Sequence, residues 1–357
     1  MNDHTVRIGR HPVGWTDPVL TIAELGLNHG GSCEQALEMV ERAARAGARA
    51  VKLQTLRAST LVAPDCPPPA HVSAASLQSF FAAFELDEPG HRAVARRAAE
   101  YGLAFVSTPL DEEAVEILER VGCDAYKIAS GDLTHLRLIA AAARTGKPLI
   151  LSTGMSTLDE VEGGLRCARD AGASAVVLLH CVSAYPTPHD QQNLAALAAL
   201  GAFGVPIGLS DHGRDDDAPV VAVALGARIY ERHFVLDDQP DAVDRAVSSA
   251  PADLAARVQR MEATRRALGH GARVPMPAEL PNVRASRRSL YAARALAPGQ
   301  VIDASAVAAL RPASGLALDR RADLVGRRVR RPIATGQPFV EDDLADTLLA
   351  EPWNGAA

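Results

Sequence analysis

A chain of 357 residues with 48% hydrophobic and 22% charged residues has ample apolar material for a large core and no signature of disorder. Its net charge of −6 argues against nucleic-acid or anionic-membrane partners, which select a basic face, so an anionic substrate needs locally placed Lys, Arg or metal. Five scattered cysteines (Cys33, Cys66, Cys123, Cys167, Cys181) fit neither a disulfide framework nor a zinc knuckle, and the opening MNDHTVRIGRHPVG lacks an apolar signal region, so a cytoplasmic protein is expected.

The first strand is predicted over 19–25 (VLTIAEL), followed by a helical segment, EQALEMVERAARAG (34–47). A second strand, RAVKLQ (49–54), leads into a long Pro-rich excursion over 55–90, of the kind that forms an active-site lid or wall. Further strands are predicted over 103–108, 124–130, 148–153, 175–181, 206–211 and 228–234, with helices such as 111–122 and 157–172 between them. Each strand is a near-continuous apolar run, as expected for a parallel sheet buried on both faces. Eight strand–helix units in series predict an α/β fold, a (β/α)₈ TIM barrel over residues 1–268. The alternative, an open doubly wound sheet, usually has fewer strands and a glycine-rich first turn. Residues 269–283 read as a linker because Gly and Pro interrupt any helix. Residues 284–347 read as a small module with short β runs (SLYAAR, PFVEDDL) and turns (APGQ, ATGQ), and 348–357 as a tail.

In a barrel of this type chemistry sits where strands end. Here the strand ends carry Glu24 with Asn28 and His29, Lys52 with Gln54, Ser107 with Thr108, and Lys127 with Ser130 and Asp132. They continue with Ser152-Thr153, His180 with Ser183 and Tyr185, Ser210-Asp211-His212, and Glu231 with His233. For Thr108, Ser152 and Thr153 a helix cap is an equally ordinary role. A lysine inside an apolar strand must reach a partner, because an unpaired buried charge is very costly. Lys52 and Lys127, with hydroxyls near them, make a site for a compact dianion such as a phosphate ester. His212 and His233, at neighbouring strand ends, can meet at one metal; with only two histidines and oxygen ligands, Mn²⁺ or Mg²⁺ is expected over a closed zinc site. His180 is open between a structural and a functional role, while His11, His71 and His91 are expected at the solvated surface.

The motifs resemble those of the sialic acid synthase family, with its legionaminic and pseudaminic acid synthases. The matching stretches are IAELGLNHGGS (22–32), AVKLQT (50–55), STP (107–109), YKIASGD (126–132), LSTGMS (151–156), LLHCVSAYPTP (178–188), GLSDH (208–212) and ERHF (231–234). The final module resembles the antifreeze-like SAF domain, of β-clip type, in RRSLYAAR (287–294) and LRPASGL (310–316). The resemblance implies a metal-dependent synthase. It would join phosphoenolpyruvate, water and an N-acetylated hexose (N-acetylmannosamine or a 2,4-diacetamido analogue) into a nine-carbon 2-keto acid, releasing phosphate.

By matching position, Lys52, Thr108, Lys127, Ser130, Ser183 and Ser210 would hold phosphoenolpyruvate, and His212 and His233 the metal. Glu24, Gln54, Asp132, Tyr185 and Asp244 would orient or protonate the sugar, with Glu24 and Glu231 both open as proton carriers. Arg311 would reach the N-acyl group from the antifreeze-like domain of the partner subunit, which implies a domain-swapped homodimer. The chain departs from the family at Asp132, where Glu is common, at Ser183, where Asn is frequent, and in RPASGL, where RPGxGI is commoner. Two other readings compete: a different metal-dependent barrel lyase or keto-acid synthase, which leaves the last module unexplained, and a degenerate sugar-binding protein, which predicts lost ligands.

Overall fold

The computed structural model describes residues 6–68 and 74–345; His71, residues 346–347 of the C-terminal module and the tail 348–357 lie outside the described residues. The chain divides into two compact units, Met1–His270 and Gly271–Ala357.

The first unit opens with a hairpin, β1 (Val6–Ile8) and β2 (His11–Val13). Eight strands follow: β3 (Leu20–Glu24), β4 (Ala50–Thr55), β5 (Ala104–Pro109), β6 (Ala125–Ile128), β7 (Leu149–Ser152), β8 (Val176–Cys181), β9 (Ile207–Asp211) and β10 (Ala227–Phe234). They pair in parallel in chain order, and β10 also pairs with β3, which closes the sheet into a TIM-like barrel with helices between the strands. A two-residue strand, β11 (Ser248–Ser249), adds to β10.

Because side chains alternate along a strand, each strand feeds two cores. Ala23, Val51, Phe105, Tyr126, Leu151, Leu178 and Leu209 pack outward against the helices. Leu20, Ile22, Ala50, Ala104, Val106, Ala125, Ile150, Val177, Leu179 and Ile229 fill the interior, and Val6, Ile8 and Val13 of the hairpin join that cluster. The helices are fixed by local chemistry. Ser32 caps Cys33–Arg45, Asp111 caps Glu112–Val121, and Thr157 forms a capping box with Glu160 at the start of Leu158–Asp170. Among the described residues no helix is long and apolar enough to cross a membrane.

Two histidines expected at the surface are buried. His11 Nε2 lies 3.0 Å from Gly102 O. His91, on the inner face of Glu88–Glu100, lies 3.0 Å from Thr55 Oγ1 through Nε2 and 3.0 Å from Asp87 O through Nδ1. Both ring nitrogens of His91 have partners, one of them far off in sequence, which makes its burial tolerable.

The second unit has its own core, built around Leu290, Ile302, Leu324, Val329, Ile333 and Phe339. Its strands β12 (Ser289–Ala292) and β13 (Val307–Leu310) pair antiparallel. PFVEDDL is not a strand: isolated bridges form at Pro338 and Leu344, and a 3₁₀ turn, Glu341–Asp343, lies between them. The fully buried Asp343 carboxylate accepts from Val340 N (2.9 Å) and folds the chain back on itself. Within 269–283 the chain already turns helical, entering Leu280–Ser286 with Pro281 in the first turn, where a proline is tolerated.

Candidate active site

Two residues beyond the apolar interior layer, the inward-facing positions turn polar. They are Glu24 on β3, Lys52 and Gln54 on β4, Thr108 on β5, Lys127 on β6, Ser152 on β7, Cys181 on β8, Ser210 on β9 with His212 just beyond, and Glu231 and His233 on β10. All of them line one cavity of about 400 Å³ at the carboxyl ends of the strands, in the range of small-molecule sites. Ser130, Ser183, Tyr185 and Met155 complete it from the loops.

The cavity floor holds two ion pairs. Lys52 pairs with Glu24 and donates from Nζ to Thr108 Oγ1 at 3.2 Å, while Gln54 Nε2 donates to Glu24 Oε1 at 3.0 Å. Lys127 Nζ sits 3.3 Å from Glu231 Oε1, which also accepts from Ser210 Oγ at 2.9 Å. None of these four charged side chains is more than 6% exposed. Burial would depress the Lys52 ammonium, but Glu24 and then Glu231 outweigh it and hold its pKa above the ordinary value. Burial would raise the Glu231 carboxyl, but Lys127 and Lys52 hold it below the usual carboxylate range. Glu231 Oε2 is buried without a hydrogen-bond partner, the kind of unmet polar atom that a ligand serves.

The rings of His212 and His233 lie 5.4 Å apart, centre to centre. Nδ1 of His212 is 3.2 Å from Val182 O, which leaves its Nε2 for a metal, while Nδ1 of His233 faces Asp244 Oδ2 at 3.3 Å as an ion-pair contact without hydrogen-bond geometry. With a metal–nitrogen bond of about 2 Å and a ring nitrogen about 1 Å from its centre, two rings sharing an ion have centres no more than about 6 Å apart. The observed pair meets that condition. Burial would lower His233, but the Asp244 carboxylate raises it above the usual histidine value, so this position favours a cation. Among the described residues no three His, Cys, Asp or Glu side chains form a metal cage. An ion here would therefore carry water or substrate oxygens, which suits Mn²⁺ or Mg²⁺ better than a closed zinc site. Gly26 (φ +50°) makes the cluster possible: a Cβ there would lie 3.1 Å from Glu24 Oε1 and 3.3 Å from both Asp244 Oδ2 and His233 Nδ1.

The other expected site residues separate by position. Tyr185 stands at the rim with its ring centre 4.2 Å from that of His212. Ser130 Oγ accepts from Gly154 N at 3.0 Å, and a Cβ on Gly154 would overlap both Ser183 Oγ and Ser130 Oγ. Asp132 does not line the cavity: the strand ends at Ile128 and Asp132 closes a 3₁₀ turn whose Ser130 and Gly131 do line it. Burial raises its carboxyl above the ordinary value. Asp244 reaches the site through His233 and does not line the cavity itself. Arg311 lies in the second unit, one residue past β13. None of the described residues of the 55–90 excursion lines the cavity, and Arg57 pins its start to Asp111 at 2.9 Å. His180 is structural, with Nε2 2.8 Å from Gln192 O. Cys181 and Met155 were not singled out by sequence reasoning. Cys181 could have been found by stepping two residues at a time from Val177 and Leu179; Met155, on a loop at φ +62°, carries no periodic signal.

A family model described as the NeuB family matches residues 39–273, and one described as the SAF domain matches 287–345. An N,N'-diacetyllegionaminic acid synthase of Campylobacter jejuni (serotype O:2) is 34% identical over 91% of this chain and 98% of its own length. A pseudaminic acid synthase of Campylobacter jejuni (serotype O:23/36) is 32% identical over 91% of this chain and 96% of its own. Among solved structures, an N-acetylneuraminic acid synthetase from Leptospira borgpetersenii, in complex with citrate, superimposes with a TM-score of 0.71 at 31% identity, covering 79% of this chain and 95% of that one.

Proposed function

The chain belongs to the NeuB family, and from that premise we propose that it condenses phosphoenolpyruvate with an N-acetylated hexose and water, giving a sialic-type nine-carbon 2-keto acid and phosphate. One observation carries this reading: two buried lysines and two imidazoles converge in a single cavity at the barrel mouth.

Lys52 and Lys127 bind the phosphate and carboxylate of phosphoenolpyruvate, and the hydroxyls of Thr108, Ser130, Ser183 and Ser210 serve the remaining anionic oxygens. A divalent ion, Mn²⁺ or Mg²⁺, held by His212 and His233 would supply Lewis-acid polarisation of the sugar's aldehyde oxygen. Asp244 orients His233, while Gln54 and Tyr185 shape the acceptor end; Asp132 acts only from outside the cavity, through the turn that carries Ser130 and Gly131. The enol carbon C3 bonds to the aldehyde carbon, water adds at C2, and the C2–O bond to phosphate breaks. One phosphoenolpyruvate, one aldehyde and one water thus become one keto acid and one phosphate. The water oxygen ends as the C2 ketone, so its two protons are given up, one to the new hydroxyl and one to the departing phosphate; Glu24 and Glu231 are the cavity carboxylates able to carry them. The same proposal includes a homodimer in the cytoplasm, with Arg311 of the partner subunit meeting the acceptor's N-acyl group.

Phosphate release from phosphoenolpyruvate tests this, with N-acetylmannosamine and 2,4-diacetamido hexoses as acceptors. Release is expected to require a sugar, to stop with EDTA and to return with Mn²⁺ or Mg²⁺. Absence of sugar-dependent release across the panel would contradict the proposal.

A further inference from the structure

Directly behind the two imidazoles, on the outward face of the same strand ends, lies a buried ion pair that touches nothing in the cavity. Asp211 precedes His212 and Arg232 precedes His233. Their Cα atoms are register partners across β9 and β10. Arg232 Nη1 is 3.1 Å from Asp211 Oδ2, with both side chains 3% exposed. The same guanidinium donates to Asp211 O at 3.2 Å and to Gly213 O, the two carbonyls that flank His212. The carbonyl of His212 itself accepts from Thr187 N at 3.0 Å. Asp211 is fixed in turn by Tyr230 Oη (2.8 Å to Oδ2) and by Gly213 N (2.8 Å to Oδ1).

We infer that Arg232, held by Asp211, which Tyr230 in turn anchors, is a positioning residue that sets the spacing of His212 and His233 for a shared divalent cation. The inference rests on the metal-pair reading above. Its physical basis is convergence on one atom: Arg232 Nη1 alone lies against both carbonyls and the carboxylate, so the three are tied to a single buried point that a lysine, one bond shorter, does not reach in the same place. A residue that fixes the backbone on both sides of one ligand, from a position adjacent to the other ligand, couples the two rings mechanically. Outer partners of this kind are worth about 10–100-fold in metal affinity when removed. A purely structural pair would contribute to stability and leave the ion alone.

The test is Mn²⁺ binding to the purified full-length protein, read from the electron paramagnetic resonance signal of free Mn²⁺, alongside the melting temperature. Arg232→Lys is expected to weaken Mn²⁺ binding by about 10–100-fold. Tyr230→Phe and Asp211→Asn should shift it in the same direction by less, and they carry the test if Arg232→Lys fails to fold. Arg228→Met is the control: Arg228 is also buried and stacks on Trp15 at 3.9 Å, but lies at the opposite end of β10 and donates to Val223 O and Ala227 O. It should lower the melting temperature with Mn²⁺ affinity unchanged. Wild-type affinity in the Arg232, Tyr230 and Asp211 variants, or equal weakening in Arg228→Met, would overturn the inference. If His233→Ala binds Mn²⁺ as tightly as wild type, the metal-pair reading fails and the positioning role falls with it. A loss in His233→Ala without a loss in Arg232→Lys overturns the positioning role alone.

Discussion

At the scale of single residues, the cavity is organised by charge balance. Lys127 and Glu231 are both buried, and each is the other's close partner. Lys127→Met should therefore leave a buried carboxylate short of its cation and cost about 3–5 kcal/mol. Adding Glu231→Gln to that variant should restore most of the stability but none of the turnover. Urea unfolding beside the phosphate-release assay separates the two effects, and a single variant as stable as wild type would contradict the pairing. These residues were legible in the sequence because lysine is scarce: the chain has three, and Lys52 and Lys127 both interrupt apolar strands. The third, Lys147, pairs on the partly exposed outside with Glu119. Asp132 was less legible. Strand alternation ends at Ile128, and nothing in the spacing says how the following 3₁₀ turn directs its side chains. Asp211 and Arg232 stand in quoted motifs, yet their role depends on which carbonyls one guanidinium reaches, and only folded geometry supplies that.

At the scale of elements, the period of two does most of the work. One parity packs against helices, and the other passes from apolar residues to polar ones along each strand. Eight strands and their order were legible because each run is long and bounded by turns. The N-terminal hairpin was not: β1 and β2 have three residues each, too few for a pattern, and their apolar side chains are explained only by the interior cluster they join. Buried histidines escaped for a similar reason, since burial of His11 and His91 depends on partners far away in sequence.

This burial has a consequence for pH. Burial, followed by the charge of His91, lowers the pKa of His29 from 6.5 to about 4, and burial also lowers that of His91. Above pH 6.5 His29 is neutral in both folded and unfolded chains. Between 6.5 and about 4 the unfolded chain takes up a proton that the folded one refuses, so stability falls as pH falls through that window. For His29 alone the loss should reach about 1 kcal/mol by pH 5.5. His91 adds a loss of the same sign. Urea unfolding at pH 7 and pH 5.5 checks the direction, and His91→Gln should show a shallower dependence. Equal slopes in variant and wild type would contradict the assignment to these rings.

At the scale of the whole molecule, two units with separate cores share one chain, and the cavity lies in the first of them, at the barrel's mouth. The acidic net charge is compatible with anionic substrates because the cations that matter are placed locally, inside the barrel. The measurement closest to the central claim is anomalous diffraction at the manganese edge from crystals grown with Mn²⁺ and phosphoenolpyruvate. It should place one ion within about 2–2.5 Å of a nitrogen of both His212 and His233. The phosphate should lie against Lys52 and Lys127. An ion bound elsewhere with both imidazoles free, or phosphoenolpyruvate outside the cavity, would contradict the account.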